Sequence, residues 1–296
     1  MATADPVTLV LPIHNSADAL PKAADAWLAA LDRLGRPYEL LIVDDGSTDG
    51  TAEAADRLVA HRKHVRLLRH ATRRGTGACI RTALAECSTP LFATTGLEYP
   101  YHPTDLGRLI AAVGRQEEIY GKPFEVSVAC GCRSGRPAPA AWKWLGRAYR
   151  FLARVLVGYP PAAAPGWLGF REHRRAWLAW MAFGNPLHDP DCALRVYRRS
   201  VFDKFPIQSD GGFVHTELVA KLVFTTHLLD EVTLSPSPAA VPSPDWADFG
   251  RVFRDPQFTP PDEATRGRQP PGDAPATVTD AVAVHPGADA PGSPVS

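Results

Sequence analysis

Apolar and polar positions alternate in blocks along the first hundred residues. Short apolar runs, each suited to a buried strand, alternate with stretches in which apolar residues recur every three or four positions, as on one helix face. Strands are predicted at residues 7–13, 40–43, 65–68 and 90–94, and helices at 17–34, 51–60 and 79–86. Strands that alternate with helices predict an α/β fold with a mostly parallel sheet flanked by helices.

Polar residues follow the first two predicted strands at the points where they end. The second strand leads into Asp44, Asp45 and Gly46, and the first ends at Pro12 and Asn15. Ligands of open α/β sheets bind at the carboxyl ends of the strands. Carboxylates there can accept hydrogen bonds from a sugar or a base, or hold a cation. Two adjacent aspartates are more than a turn requires, so this edge is predicted to be a binding site.

A basic loop with two glycines precedes the third predicted helix. It contains Arg73, Arg74, Gly75 and Gly77. Such a loop can bring backbone N–H groups and guanidinium groups to a phosphate. Glycine is equally an ordinary turn former, so the loop alone leaves both interpretations open.

Composition narrows the class of protein further. The formal net charge of the 296 residues is zero, so no overall field indicates a nucleic-acid partner. The five cysteines are scattered and odd in number, so they form neither a disulfide framework nor a pair of zinc half-sites. This pattern favours a protein of a reducing compartment. No basic leader precedes the first strand, and no apolar run approaches the ~18 residues of a membrane span. A cytoplasmic protein, soluble or peripheral on the cytoplasmic membrane face, is therefore expected.

In their order along the chain, these motifs resemble glycosyltransferase family 2, a GT-A fold. The similarity is greatest to the dolichyl-phosphate mannosyltransferase-like and polyprenyl-phosphate glycosyltransferase branch, which serves cell-envelope glycans. It covers roughly residues 7–234 and is carried by residues 7–15, 43–51, 75–77 and 189–199. The resemblance implies sugar transfer from a nucleotide-diphospho-sugar to an acceptor such as polyprenyl phosphate. It also implies that the donor is bound by Pro12, Asn15, Asp44, Asp45 and Gly75.

The resemblance fails at the fourth strand. Where the family has two aspartates that hold Mg²⁺ or Mn²⁺ on the donor diphosphate, this chain has Thr94 and Gly96. Glu98 stands where the family often has a glutamine ligand. A hard divalent cation prefers several oxygen ligands, and Glu98 with Asp45 is a poor set.

Three interpretations of this loss stay open. Glu98 and Asp45 could still hold the metal, or arginines could neutralise the diphosphate, with Arg73, Arg74 and Arg133 as candidates. Catalysis could instead be lost, which would leave a nucleotide-sugar or lipid-phosphate binding protein, or a partner of an active transferase. An unrelated nucleotidyltransferase on the same α/β frame is a weaker alternative.

The second half of the chain supplies residues predicted to act on the acceptor. Arg133 follows a strand predicted at 126–129 and matches a family arginine implicated in the phosphate of the lipid acceptor, although it could also simply solvate a loop. Asp189 matches a family aspartate that serves either acceptor-side chemistry or the architecture of the site. In the first role it would be the general base for a hydroxyl acceptor, whereas a phosphate acceptor needs none. Arg198 or Arg199 is expected to face the diphosphate or the lipid phosphate. Glu217 is expected to fix an arginine or to form a structural salt bridge.

Two amphipathic segments suggest contact with a membrane. In residues 141–157 one face is basic and the other is aromatic and aliphatic, and residues 167–183 combine tryptophans with arginines. These patterns suit helices at an anionic membrane surface, and they also suit helices packed on the sheet.

The composition changes after residue 234. Thirteen of the 29 prolines lie in the last 62 residues. Residues 235–296 are therefore predicted to be a largely disordered tail, following a glycosyltransferase domain at 1–234. Near the start of this tail, a short aromatic segment around Phe249 and Phe253 is expected to dock onto that domain.

Overall fold

The computed structural model of the chain describes residues 4–119, 121–133, 187–237 and 247–259. In its first part strands and helices alternate as predicted, which confirms the α/β class. These elements are β1 Val7–Ile13, α1 Leu20–Arg33, β2 Tyr38–Asp44, α2 Thr51–His61, β3 Val65–Arg69, α3 Thr76–Glu86 and β4 Leu91–Thr94.

The later elements are less regular, and the sequence pattern predicts only residues 126–129 among their strands. They are α4 Asp105–Ala112, β5 Gln116–Ile119, β6 Lys122–Cys132, β7 Arg195–Arg198, a 3₁₀ helix at Arg199–Lys204, α5 Val214–Phe224, β8 Leu228–Thr233 and α6 Phe249–Arg254.

The strands of the described residues form a mixed sheet in the order β3-β2-β1-β4-β7-β6-β5, with β8 paired to β6. Strands β1 to β4 are parallel, and β7 runs antiparallel between β4 and β6. The register places Asp44 beside Ile13 and Thr94 beside Val10. Because β6 is therefore parallel to β4, Arg133, which follows β6, lies at the same edge as the ends of β1, β2 and β4.

Both faces of the sheet are covered around β1, β2 and β4, which explains why apolar residues predominate in these strands. Along β1, Leu9 and Leu11 point into a core shared with α1 and α4, whereas Val10 points into a core shared with α3 and α5. This alternation follows from the two-residue period of a strand. All five cysteines are free and buried.

A segment near the carboxyl end packs on the domain. In residues 247–259, Val252 is buried with Phe213 and Ala220, and the ring of Phe249 lies 5.7 Å from that of Phe213. The packed part of the chain therefore continues past the predicted boundary at residue 234. The amphipathic segments predicted at 141–157 and 167–183, and the tail from 260 onward, lie outside the described residues. No helix in the described ranges is long and apolar enough to cross a membrane.

Candidate functional site

A cleft of about 730 Å³ lies at the carboxyl edge of the sheet. It is bounded by the ends of β1, β2, β4 and β6 and by two loops, residues 73–76 and 210–212. Several side chains predicted from the sequence line this cleft together, although the motifs are far apart in the chain. They are Pro12, Asp45, Gly75, Glu98 and Arg133.

Asp44 and Asn15 lie beside the cleft and join the loops after β1 and β2. Asp44 is buried, and its Oδ1 accepts the backbone N–H of Ser47 at 3.1 Å. Asn15 adopts a left-handed backbone conformation with φ of 46°, and its Oδ1 accepts the N–H of Thr48 at 2.9 Å. The contacts that these two residues make are thus within the protein, and their predicted nucleotide contacts stay predictions.

Asp45 anchors the basic loop. Its Oδ1 accepts hydrogen bonds from His70 Nδ1 and from the backbone N–H of Arg74, both at 2.8 Å, and its Oδ2 accepts the N–H of Gly75 at 2.7 Å. Burial alone would raise the pKa of Asp45, but the donors from His70, Arg74 and Gly75 outweigh it, so the pKa is lowered. Asp45 therefore acts as an anion that fixes the path of residues 73–75.

The loop at 209–211 packs directly on the start of α3. The carbonyl of Asp210 accepts the N–H groups of Gly77 at 2.7 Å and Ala78 at 3.3 Å. A Cβ on Gly77 would overlap the backbone of Ser209, so glycine is what allows this close approach. The two loops therefore form one continuous wall of the cleft.

Asp248, just before α6, lines the cleft and supports that wall. Its carboxylate accepts the N–H groups of Asp210 at 2.9 Å and Gly211 at 3.0 Å, and it pairs with Arg251 at 2.6 Å. Burial would raise the pKa of Asp248, but these donors lower it overall. The segment at 247–259 is thus part of the site, which its proline-rich surroundings do not reveal.

Arg133 and Asp189 lie side by side as predicted residues of the site, and they form an ion pair with each other. Arg133 Nε and Nη2 each lie 2.6 Å from an oxygen of Asp189, and both side chains are buried. Burial would lower the pKa of Arg133, but the carboxylate of Asp189 outweighs it, so the pKa is raised. The guanidinium predicted to hold a phosphate is therefore already neutralised by the carboxylate predicted to act as a base.

Asp191 and His215 also line the cleft, and neither was predicted from the sequence. Asp191 is buried, and its Oδ1 accepts the hydroxyl of Thr216 at 2.8 Å. Burial lowers the pKa of His215 well below its usual value, and the guanidinium groups of Arg195 and Arg133 lower it further. His215 is consequently a neutral imidazole near pH 7. Asp191 could have been found as the second acid of the His-Asp-Pro-Asp segment.

Two other predicted residues do not reach the cleft. Arg198 pairs with Leu91 at the opposite edge of the sheet and forms ion pairs with Asp5 and Glu125. Arg199 donates to the carbonyl of Cys87 at 2.8 Å. Neither guanidinium is therefore placed to contact a phosphate at the carboxyl edge, which corrects the expected position of both.

Glu217 forms the structural salt bridge that was one of its two expected roles. Its carboxylate lies 2.7 Å from Lys221 Nζ, and both side chains are buried. It also accepts the N–H groups of Gln208 at 2.8 Å and Ser209 at 2.7 Å. Glu217 thus fixes the loop that leads into the cleft wall.

The described residues are a poor fit for Mg²⁺ or Mn²⁺. Thr94 is buried and donates its hydroxyl to the carbonyl of Ala193 at 2.7 Å, and Gly96 has no side chain. Asp45 is used by three donors, Asp210 and Asp248 pair with Arg81 and Arg251, and Asp191 accepts the hydroxyl of Thr216. Near the end of β4 this leaves Glu98, an exposed carboxylate, and the hydroxyl of Thr95. A hard divalent cation needs more oxygen ligands than these two provide.

A second group of potential ligands also fails this test. The ligand atoms of Asp45, His70 and Cys79 lie within 4.8 Å of one another. Burial raises the pKa of the Cys79 thiol well above its usual value, with Asp45 adding to the effect, so the sulfur stays protonated. A thiol is in any case a soft ligand that does not suit Mg²⁺ or Mn²⁺.

A mostly parallel sheet, covered on both faces and carrying this cleft at its carboxyl edge, defines the class of GT-A glycosyltransferase folds. The chain belongs to glycosyl transferase family 2, whose family model matches residues 8–205. The family predicted from the sequence motifs is thereby confirmed.

Curated relatives match only a part of the chain. An undecaprenyl-phosphate 4-deoxy-4-formamido-L-arabinose transferase of Klebsiella pneumoniae subsp. pneumoniae is 31% identical over 119 residues, which are 39% of this chain and 36% of that protein. The protein of the same name from Salmonella dublin is 29% identical over the same proportions. The match thus spans little more than a third of the length of these relatives.

Solved structures share the fold over most of the chain. Glucosyl-3-phosphoglycerate synthase from Mycobacterium tuberculosis, in complex with Mn²⁺, uridine diphosphate and phosphoglyceric acid, gives a TM-score of 0.54 at 17% identity and covers 85% of this chain and 75% of that one. Mannosyl-3-phosphoglycerate synthase from Rubrobacter xylanophilus gives a TM-score of 0.51 at 16% identity and covers 84% of this chain and 70% of that one. At these identities the likeness establishes the fold.

Proposed function

We propose that this chain transfers a sugar from a nucleotide-diphospho-sugar to an acceptor that carries a phosphate, such as polyprenyl phosphate. The observation that carries the proposal is that residues of separate family motifs line one cleft, namely Pro12, Asp45, Gly75 and Glu98. A volume of about 730 Å³ lies within the usual size of small-molecule sites, roughly 300–1,000 Å³. The names of the curated relatives support the choice of acceptor.

The proposed reaction is a direct displacement at the sugar. An oxygen of the acceptor phosphate attacks C1, the bond from C1 to the diphosphate oxygen breaks, and its electron pair leaves with the nucleoside diphosphate. Since a phosphate is already an anion at neutral pH, this step needs no general base. A hydroxyl acceptor would need one, and Asp191 is a buried carboxylate of the cleft lining, as is Asp45, which is already bound by three donors.

A second candidate function is supported by the fourth strand. Thr94 and Gly96 supply no carboxylate where family 2 enzymes hold a metal. A chain that binds the nucleotide-sugar without transferring it, and acts as a binding or partner protein, agrees with that loss.

A transfer assay separates these two functions. The full chain is incubated with radiolabelled UDP-sugars and GDP-sugars and with undecaprenyl phosphate in detergent, and labelled lipid is extracted and counted. Labelled lipid would support the transferase. If the chain binds a nucleotide but none of the supplied sugars is transferred to the lipid, the binding protein would be supported. If neither UDP nor GDP raises the melting temperature, both candidates fail.

The variant Asp191→Asn tests the class of acceptor. Asparagine retains an oxygen that can accept the hydrogen bond of Thr216, so the cleft should keep its shape. Transfer to a phosphate acceptor should be retained within a few-fold. A loss of about 10²–10⁴-fold would instead indicate general-base catalysis on a hydroxyl.

A further inference from the structure

The diphosphate of the proposed donor carries negative charge that must be balanced where it binds. In relatives of this family a divalent cation does so, and the described residues of this chain do not form a site that suits one. The guanidinium groups lining the cleft belong to Arg73, Arg74 and Arg133. The charge balance therefore depends on which of these three groups are available.

Arg133 is not available. Its Nε and Nη2 each donate to Asp189 at 2.6 Å, and the pair is buried. Its positive charge is already balanced by Asp189, and a phosphate that took over this guanidinium would leave the carboxylate buried without a counter-charge, which is costly.

Backbone N–H groups of the loop are also occupied, contrary to the expectation from its glycines. Those of Arg74 and Gly75 donate to Asp45, and those of Gly77 and Ala78 donate to the carbonyl of Asp210. These four N–H groups around the start of α3 are therefore used within the protein. What the basic loop offers an anion is its side chains.

Arg73 and Arg74 are the remaining cations of the cleft wall. Both are exposed, and neither forms an ion pair with a described carboxylate. The nearby acids of the cleft have other partners, because Asp210 pairs with Arg81 and Asp248 with Arg251. Asp45 holds the backbone of the basic loop in place through the N–H groups of Arg74 and Gly75. The loop therefore loses less conformational freedom when the side chains of Arg73 and Arg74 bind a ligand.

We infer that Arg73 and Arg74 bind the donor diphosphate directly and replace the divalent cation. The inference rests on the proposed function, because it requires a nucleotide-diphospho donor. Guanidinium groups form charge-assisted hydrogen bonds with phosphate oxygens, and two of them can match the charge of one metal ion. In the displacement above they would stabilise the negative charge that develops on the departing nucleoside diphosphate.

Nucleotide binding by the full chain tests this inference. Calorimetry with UDP, GDP, UMP and GMP is carried out once in EDTA and once in Mn²⁺. One of the two diphosphates is expected to bind with the same affinity, within about twofold, in both conditions. The double variant Arg73→Gln/Arg74→Gln should weaken diphosphate binding by roughly ten- to a hundredfold and monophosphate binding by less, since charged hydrogen bonds to the β-phosphate are lost.

A charge-matched control removes two arginines elsewhere. Arg33 on α1 and Arg57 on α2 are exposed, lie outside the cleft lining and form no ion pair with a described carboxylate. Arg33→Gln/Arg57→Gln should leave the diphosphate affinity unchanged. An equal loss in this control would show a general charge effect and overturn the inference.

The remaining outcomes separate the inference from the proposed function. Diphosphate binding that appears only with Mn²⁺ would overturn the inference and leave the proposed function standing. Full affinity in the Arg73/Arg74 double variant would do the same. Binding of none of the four nucleotides in either condition would overturn both.

Discussion

Arg133 and Asp189 form a buried, two-pronged ion pair that ties the end of β6 to the segment before β7. Two hydrogen bonds of 2.6 Å join the guanidinium to the carboxylate, and the backbone N–H of Arg133 adds a third at 3.1 Å. Glu231 in turn accepts the N–H of Asp189 at 3.2 Å. Two residues predicted to act on a substrate thus hold the wall of the cleft.

Removing one partner of this pair should strongly destabilise the protein. Asp189→Asn leaves the Arg133 guanidinium buried without its counter-charge, which costs about 3–5 kcal/mol of unfolding free energy. The double variant Arg133→Met/Asp189→Leu removes both charges and should recover most of that loss. Urea denaturation measures both. A single-variant cost below about 1 kcal/mol would show that the pair is not buried in solution.

Asp45 should give the protein a specific sensitivity to acid. Since its pKa is lowered in the folded state, its stabilisation is complete above the ordinary aspartate pKa of about 3.9 and is lost as the pH falls through the lower, folded-state pKa. Asp45→Asn should therefore cost roughly 2–3 kcal/mol at pH 7 and progressively less towards pH 3. Melting curves of both proteins from pH 7 to 3 test this.

The control for Asp45 is an exposed aspartate in an exposed ion pair. Asp25 lies 2.8 Å from Arg62, and both side chains are more than half exposed. Asp25→Asn should change stability by less than about 1 kcal/mol at any pH in this range. A difference between the wild type and Asp45→Asn that does not shrink in acid would contradict the role of the Asp45 charge.

Gly75 should tolerate no side chain. It has φ of 98°, and a Cβ there would overlap the carbonyl of Asp210. Gly75→Ala should thus cost about 2–5 kcal/mol, from backbone strain plus the displacement of a neighbouring loop. Gly35 also has a positive φ, of 62°, but has no atom within 4 Å of an added Cβ, so Gly35→Ala should cost only about 1–2 kcal/mol. Equal costs in thermal denaturation would show that the loops are not in contact.

A single aspartate at Gly96 should create metal dependence. An added Cβ there would meet only the Cβ of Ala193, at 3.8 Å, an ordinary contact. Thr94 is less suitable, because an aspartate would set its carboxylate against the carbonyl that Thr94 now binds. Nucleotide affinity of Gly96→Asp should rise roughly tenfold or more when EDTA is replaced by Mn²⁺, whereas Gly96→Asn should show no such rise. The same response in both variants would indicate that the charge is not the cause.

The sequence predicted the first half of the fold well because that half follows simple periodicities. Strand β1 was predicted with its observed bounds, and β2 to β4 within two residues. Strand β5, with the sequence Gln-Glu-Glu-Ile, has no apolar pattern, and β7 begins with Arg195, a completely buried arginine. Periodicity therefore could not find either strand.

The site was predicted only in part for a related reason. Motif order located the acids and glycines at one edge, but their hydrogen-bond partners come from distant segments. Asp189 binds a guanidinium 56 residues before it, and Asp45 binds N–H groups 29 and 30 residues after it. Only the folded chain reveals that these carboxylates are already occupied. Arg198 was misplaced because family order does not show on which end of an antiparallel strand a residue lies.

The central position of β7 has a consequence for how the chain is made. Strand β4 pairs with β1 on one side, and its other neighbour, β7, lies about a hundred residues later in the chain. As the chain emerges from the ribosome, β1 to β4 are complete long before Arg195–Arg198 is synthesised. During that interval β4 presents an open strand edge, the kind of surface on which other chains assemble. We therefore expect the unfinished amino-terminal half to be most open to wrong strand pairing at β4.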